Sequence, residues 1–288
     1  MQIKKLVLNS KGYPERLRKI HSPPDPLYHV GAPLAELLKR PAVAIVGTRK
    51  LSPYGQQVTW EFAEHLAEQG LVIISGLALG LDALAHKATL ERGGLAIAVL
   101  PGPLEKIVPE TNRRLAERIL DSGGALVSEY PEDERPQKQY FIARNRIVSG
   151  LADAVLIPEA GEKSGALYTA RFGLDQGKNI LAVPGSINAV GSIGTNNLIK
   201  NSKAGAVTAP VDVLNALGLK YHTTKARHIK GRNANEQTIL DLMMQGISDG
   251  DRLLGESRLS ASQFNQALTM LEIASKIRPL GANHWAIV

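Results

Sequence analysis

Short apolar runs alternate with longer amphipathic stretches from residue 41 to about residue 210. Seven runs have the length and composition of buried parallel strands, and they cover residues 42–46, 71–75, 95–100, 125–128, 154–157, 180–183 and 206–209. The intervening stretches predict helices; one follows Ser52 as candidate N-cap, begins at Pro53 and stops at Gly70. This repeated alternation predicts a Rossmann-like, doubly wound α/β fold with a mainly parallel sheet.

The pattern changes near the carboxyl terminus. Residues 219–233 are rich in basic side chains, lack apolar periodicity and are predicted to be a linker. Beyond them the sequence predicts three helices, over residues 235–245, over 251–257 and after Ser260 as N-cap, and then two short strands. This order is typical of a small winged-helix domain.

These features predict a simple domain organisation. The proline-rich residues 1–40 form a short lead-in, residues 41–218 form the Rossmann-like domain, and residues 234–288 form the winged-helix domain.

Composition and charge narrow the class of partner. The 288 residues carry a formal net charge of +7, which favours polyanionic partners, nucleic acid first. The absence of cysteine excludes a disulfide framework, and the seven histidines lack metal-ligand spacing. No apolar run is long enough to cross a bilayer, and the amino-terminal residues lack a signal-peptide pattern. We therefore expect a cytoplasmic protein with no membrane partner, no metal and no cofactor.

Candidate binding residues follow the predicted strands. Gly47, Thr48 and Arg49 follow the first strand, and Lys163, Ser164 and Gly165 precede a helix after the fifth. Ligands of open parallel sheets bind beyond the carboxyl ends of strands, where glycines allow close approach and helix amino termini attract anions. Each glycine alone is explained more simply by a tight turn. Together with Arg49, Lys163 and the segment FIARNRIVSG at 141–150, they favour a phosphate-binding crevice.

Nucleotide-enzyme motifs are largely missing. GLALGLD does not match the dinucleotide fingerprint, GLDQGKN lacks the Ser/Thr of a phosphate-binding loop, and there is no GxSxG. Asp82 and His86, four residues apart on a predicted helix, could form an acid–base pair, although a structural role is the simpler interpretation. An ATP-driven or hydrolytic mechanism has no support in the sequence.

An ordered set of motifs resembles a known family. VAIVGTR, IISGLALGLDALAH, GALVSEYP, FIARNRIVSGLADAVLIPEA, SGALYTA and AVPGS are similar, in this order, to the DNA-processing protein A (DprA/Smf) family. The resemblance covers roughly residues 41–210. It implies a protein without enzymatic turnover that binds and protects single-stranded DNA during natural transformation. It further implies a homodimer that works with single-strand-binding protein and loads the RecA recombinase.

The resemblance also implies site residues. They are Arg49 with the turn residues Gly47 and Thr48, then Lys138, Phe141, Arg144, Asn145 and Arg146. Arginine supplies planar, always-charged donors to phosphate, and an aromatic ring offers a face to an unstacked base. Glu129 or Asp153 could instead hold one of the two arginines inside the fold, Arg146 more readily than Arg144. Leu79 stands where the family usually has an arginine.

Two other functions are weighed against this one. A nucleotide N-glycosidase of the "lonely guy" type resembles the family in fold, but it needs a glutamate near the position of Thr169. A transcription regulator would use the third helix of the tail in the major groove, and that helix contains no lysine or arginine. The tail is therefore predicted to be an accessory or interaction domain.

Overall fold

The computed structural model describes residues 2–220, 229–274 and 276–287. The chain divides into two compact units, Met1–His222 and Thr223–Val288. Most of the predicted linker, residues 221–228, lies outside the described residues.

The first unit is built on a nine-stranded sheet in the order β1-β2-β6-β5-β4-β3-β7-β8-β9. Neighbouring strands from β6 to β9 in this order run parallel, whereas β2 pairs antiparallel with both β6 and β1. The strands are β1 (Lys4–Leu6), β2 (Leu27–Gly31), β3 (Ala42–Ile45), β4 (Val72–Ser75), β5 (Ala96–Val99), β6 (Ala125–Ser128), β7 (Ala154–Ile157), β8 (Asn179–Ala182) and β9 (Gly205–Ala206).

Helices cover both faces of this sheet. They are α1 (Glu15–Arg18), α2 (Leu34–Leu37), α3 (Pro53–Glu68), α4 (Leu81–Glu91), α5 (Arg113–Asp121), α6 (Lys138–Leu151), α7 (Ala166–Asp175), α8 (Ile193–Lys200) and α9 (Pro210–Ala216). Helices α1, α6 and α7 share one apolar core, α3, α4 and α9 share a second, and α4 and α5 share a third. Within β4, Val72 and Ile74 face the first core and Ile73 the second. Burial on both faces explains why the strands are continuous apolar runs, and the predicted doubly wound fold is confirmed.

The predicted start of α3 is also confirmed. The Ser52 hydroxyl accepts a hydrogen bond of 3.0 Å from the Gly55 amide, and Pro53 is the first helical residue. The cap satisfies an amide that would otherwise lack a partner in the first turn.

Two features of the sheet differ from expectation. The proline-rich lead-in contributes β1 and β2, and β2 extends the sheet by pairing Val30 with Leu126 of β6. At the opposite edge, β9 is shorter than the predicted run 206–209. The amides of Thr208 and Ala209 donate to the Asp212 carboxylate instead, at 2.8 and 3.0 Å, and start α9. Backbone groups used in a helix cap cannot continue a strand.

The second unit has the predicted order of three helices and a hairpin. The elements are α10 (Ala234–Met244), α11 (Gly250–Ser257), α12 (Ala261–Ile273), β10 (Ile277–Gly281) and β11 (His284–Ile287). Ser260 caps α12 and forms a capping box with Gln263. Leu240, Leu253 and Phe264 lie in a separate apolar core. Among the described residues of both units, no helix combines the length and apolar character needed to cross a membrane.

Candidate nucleic-acid interface

A cavity of about 400 Å³ opens at the carboxyl ends of the strands, and we call it the strand-end cavity. Nine of the eleven predicted site residues line it; Lys138 and Arg146 do not. The nine are Gly47, Thr48, Arg49, Phe141, Arg144, Asn145, Lys163, Ser164 and Gly165. Six further residues line the cavity, Val46, Ala78, Asp82, Ile142, Ala166 and Thr169. The rule that ligand sites lie beyond the carboxyl ends of parallel strands thus located the cavity, but it did not predict the four apolar residues of its lining, Val46, Ala78, Ile142 and Ala166.

The turn after β3 forms one wall of the strand-end cavity. The Thr48 amide donates to the Glu159 carbonyl at 3.0 Å, and the Leu81 amide donates to the Thr48 carbonyl at 3.1 Å. A Cβ atom at Gly47 would lie 2.6 Å from the Glu159 carbonyl oxygen, a backbone atom that cannot give way, so the turn requires glycine at this position. The tight turn presents the exposed Arg49 side chain at the rim.

The buried carboxylate of Glu159 fixes the segment that follows this turn. Its Oε1 accepts from the Ser52 hydroxyl at 2.6 Å and its Oε2 accepts from the Ser52 amide at 3.0 Å. The contact ties the start of α3 to the segment after β7. Local sequence gives no sign of this contact, because Ser52 and Glu159 lie 107 residues apart in the chain.

Helix α6 forms the opposite wall. Lys138, Phe141 and Asn145 are spaced i, i+3 and i+7 and therefore share one face of the helix. The guanidinium carbon of Arg49 lies 5.3 Å from the centre of the Phe141 ring, within cation–π distance. Lys138 is exposed in the first turn, one turn before Phe141. Arg49 and Phe141 thus form a stacked pair across the cavity.

Arg144 lies beneath the cavity and is only 3% exposed. Its Nη1 donates to the Gly76 carbonyl at 2.6 Å and to the Val99 carbonyl. A Cβ atom at Gly76 would lie 2.4 Å from the guanidinium, so that glycine leaves the space that the arginine fills. Burial lowers the pKa of Arg144 to about 10, against the attraction of Asp82, and the group stays charged at neutral pH. Arg144 therefore joins the ends of β4 and β5.

Asp82 completes this buried polar cluster. Its carboxylate accepts from the Gly76 amide at 3.1 Å and also from the Ala78 and Gly47 amides. Burial raises the pKa of Asp82, and the Arg144 charge and these amides oppose that shift. His86 is fully buried, and desolvation lowers its pKa to about 3, which keeps it neutral. The placement fits the structural interpretation of Asp82 and His86 rather than an acid–base pair.

Arg146 faces away from the strand-end cavity. Its Nη1 and Nη2 donate to the two oxygens of Glu129 at 2.7 and 2.6 Å, and its Nε donates to the Ser22 carbonyl at 3.0 Å. Of the two carboxylates considered as its partner, Glu129 is the one in contact; Asp153 pairs with Arg16 at 3.0 Å. A bidentate pair that is 15% exposed on both sides holds α6 against the end of β6.

Asn145 links α6 to the start of α7. Its Oδ1 accepts from Arg144 Nε at 3.1 Å, and its Nδ2 donates to the Gly165 carbonyl at 3.4 Å. Gly165 precedes α7, and the exposed Lys163 lies two residues earlier. The Arg-Asn-Arg segment therefore orders three sides of the site through contacts within the protein.

Three cations on the walls and margins of the strand-end cavity have no ion-pair partner among the residues that the structure describes. No ion pair between described residues involves Arg49, Lys138 or Lys163. Leu79, which replaces the arginine expected from the family, is half exposed. The described residues contain no group of His, Cys, Asp or Glu side chains that could hold a metal ion. The side chains available to a ligand are thus cations, an aromatic ring and small polar groups.

These observations define a doubly wound α/β protein with a cation-rimmed cavity at its strand ends. The family model for DNA recombination-mediator protein A matches residues 4–218. The chain therefore belongs to the DNA recombination-mediator protein A family, and the expected resemblance is confirmed.

Curated relatives and solved structures agree with this family. The chain is 44% identical to Protein Smf of Escherichia coli, over 74% of this chain and 56% of that protein. It is 40% identical to DNA processing protein DprA of Bacillus subtilis, over 64% of this chain and 62% of that protein. The chain thus spans a little over half the length of these relatives.

Two solved structures share the fold. The structure of DNA processing protein A from Streptococcus pneumoniae aligns with a TM-score of 0.69 at 37% identity, covering 77% of this chain and 76% of that one. The Helicobacter pylori protein, whose structure concerns its single-stranded DNA binding mode, aligns with a TM-score of 0.68 at 36% identity, covering 77% and 98%. The N-glycosidase alternative is not favoured by these matches. Thr169, near where that chemistry needs a glutamate, is buried against the cavity.

Proposed function

We propose that this chain binds single-stranded DNA in the strand-end cavity and acts as a recombination mediator. The observation that carries the proposal is the stacked pair of Arg49 and Phe141 beside the unpaired Lys163. Phosphates would contact Arg49, Lys138 and Lys163, and an unstacked base would rest on Phe141. The single-stranded DNA binding mode of the Helicobacter pylori relative supports this assignment.

The proposal gives the Arg-Asn-Arg segment a supporting role. The guanidinium groups of both arginines already donate hydrogen bonds within the protein. Arg144 donates to the Gly76 carbonyl, and Arg146 donates to the Ser22 carbonyl and to Glu129. Gly47, Thr48, Asn145, Ser164 and Gly165 would shape the cavity and offer it backbone and side-chain polar groups.

The wider role follows from the family. A bound single strand would be protected and then transferred to RecA during natural transformation, in cooperation with single-strand-binding protein. The active form would be a homodimer. Relatives named DNA processing protein in Bacillus subtilis and Streptococcus pneumoniae support a role in DNA processing.

Binding should favour single strands over duplex. A base can reach Phe141 only when it is unstacked, and phosphate contacts release counterions. We expect the affinity for single strands to exceed that for duplex of equal length and to fall steeply as salt rises, with little dependence on sequence. A gel-shift series at several salt concentrations measures all three. Tighter duplex binding, or no response to salt, would contradict the proposed cavity.

Removal of residues 226–288 should leave most of the affinity for single strands. All lining residues of the strand-end cavity lie in the first unit, and α12 contains no lysine or arginine. The shortened and full chains are compared by titration with the same labelled oligonucleotide, after thermal unfolding shows that both are folded. Loss of most of the affinity would move the DNA site to the removed residues, including the basic segment before α10.

A further inference from the structure

Two aliphatic side chains on the loop between β8 and α8 are strongly exposed. Ile187 is 87% exposed and Val190 is 76% exposed, the highest values among the large hydrophobic side chains described. The Tyr54 ring, at the start of α3, is 43% exposed, and its Cε1 atom lies 3.7 Å from the place of a Cβ atom at Gly185 in this loop. We call these three side chains the Tyr54 patch. Exposed apolar side chains that cluster, rather than occur singly, mark interaction sites.

Hydrogen bonds hold the loop in this conformation. The Gly185 amide donates to Asn196 Oδ1 at 3.1 Å, and Asn196 Nδ2 donates to the Gly185 carbonyl at 3.0 Å. The Ser192 amide donates to the Ala189 carbonyl at 2.9 Å. The Tyr54 hydroxyl donates to the Pro184 carbonyl at 2.6 Å, which fixes its ring against the loop. The apolar exposure therefore belongs to an ordered surface.

The Tyr54 patch adjoins the strand-end cavity. A Cβ atom at Gly161 would lie 3.2 Å from the Val190 carbonyl oxygen, and the Gly161 carbonyl accepts from the Ser164 amide at 3.1 Å. The loop thus lies next to the Lys163–Gly165 side of the cavity. On the other side, Tyr54 follows Arg49 by five residues along the same connection. The Tyr54 patch and the strand-end cavity therefore lie next to each other.

We propose that the Tyr54 patch is a second contact for the single strand, where the base of a nucleotide flanking the strand-end cavity stacks on Tyr54. Ile187 and Val190, on the adjoining loop, offer further apolar surface to the same strand. This inference rests on the proposed function of the cavity. Aromatic stacking accepts any base, which suits a strand bound without sequence preference. Lys50, four residues before Tyr54, and Lys163, which lines the cavity, are both exposed and would neutralise phosphates of the strand.

The size of the patch favours a nucleic acid over a protein partner. Stable protein interfaces engage roughly 20–30 residues on each side, whereas this patch consists of three apolar side chains. A base with its sugar covers an area of that size. The cations at the adjoining rim add charge complementarity to a polyanion.

The test compares short and long oligothymidylates. A strand of about 4 nucleotides fills the cavity alone, and one of about 12 also reaches the patch. Tyr54→Ala and the double variant Ile187→Ser/Val190→Ser should each weaken binding of the long strand about tenfold, leaving the short strand and the salt slope unchanged. Tyr168→Ala and Leu174→Ser, exposed side chains on α7 outside the patch, serve as matched controls. Thermal unfolding checks that all variants are folded.

The possible results separate this inference from the function on which it depends. If Arg49→Ala weakens both strands while the patch variants bind the long strand like the parent, the patch inference is overturned and the cavity stands. If the patch variants change the oligomeric state in sedimentation but leave the DNA affinity unaltered, the Tyr54 patch is a protein contact and the patch inference is also overturned. If the parent protein binds no single strand at all, both the proposed function and the inference fall.

Discussion

Replacing Arg144 with alanine is expected to lower the free energy of unfolding by about 3–5 kcal/mol. The change removes the donor to the Gly76 and Val99 carbonyls and the positive charge near the buried Asp82. Buried acceptors without a partner and a buried carboxylate without its counter-charge are both costly. For a unit of this size, the loss amounts to roughly 6–20 °C in melting temperature.

Thermal and urea unfolding of the variant measure this loss, and Arg18→Ala is the matched control. Arg18 is partly exposed, pairs with Glu15 at 3.1 Å and donates to carbonyls near the surface. Its removal should cost much less. Arg144→Lys should rescue little, because one ammonium cannot replace a planar guanidinium between two carbonyls. An Arg144→Ala protein that is as stable as the parent but has lost DNA binding would show that the arginine is a DNA ligand after all.

The contrast between the two arginines shows which contacts a sequence reveals. For Arg146, Glu129 could be named beforehand as one of two candidate partners, with Asp153 as the other, because both are charged side chains of the opposite sign. Arg144 was expected to contact phosphate, yet its partners are backbone carbonyls at Gly76 and Val99, 68 and 45 residues away. Every residue has a backbone carbonyl, so the residue types in the sequence do not show which carbonyls will accept from Arg144.

A weaker signal for the burial of Arg144 was nevertheless present. Arg144, Ile147, Val148 and Leu151 are spaced i, i+3, i+4 and i+7, and all four are buried. The apolar face of α6 therefore includes the arginine. Helical periodicity predicts such burial better than the residue type does, because tertiary partners can satisfy a guanidinium.

Some strands of the sheet could be predicted from their local sequence pattern, whereas others depend on pairing with a strand far away in the chain. Strands β3 to β8 are apolar runs buried on both faces, so their pattern was sufficient to predict them. Strands β1 and β2 are short, lie among prolines, and are recognisable only through the pairing of β2 with β6, about 100 residues later. Distant pairing of this kind leaves no local periodicity to detect.

Single substitutions of Arg49, Lys138 and Phe141 should have the largest effects on DNA binding. Arg49→Ala and Lys138→Ala are each expected to weaken single-strand binding by roughly 1–3 kcal/mol and to lower the salt slope, because each removes a phosphate contact. Phe141→Ala should weaken binding by a similar ~1–3 kcal/mol and leave the salt slope nearly unchanged, because a base stack releases no counterion. Titrations at several salt concentrations distinguish the two kinds of loss.

Arg49 and Phe141 should also be coupled. Their guanidinium-to-ring distance of 5.3 Å means that each holds the other in place before DNA arrives. A double-mutant cycle on DNA affinity should therefore give a coupling energy of about 0.5–1 kcal/mol, whereas the Lys138 and Phe141 pair should be closer to additive. Arg49→Lys should keep the salt slope and lose part of the coupling, since an ammonium lacks the planar face. Arg171→Ala, an exposed arginine on α7 outside the strand-end cavity, is the control for a simple change of charge. If Arg49→Ala remained folded and bound single strands like the parent, the DNA site would have to lie elsewhere on the protein.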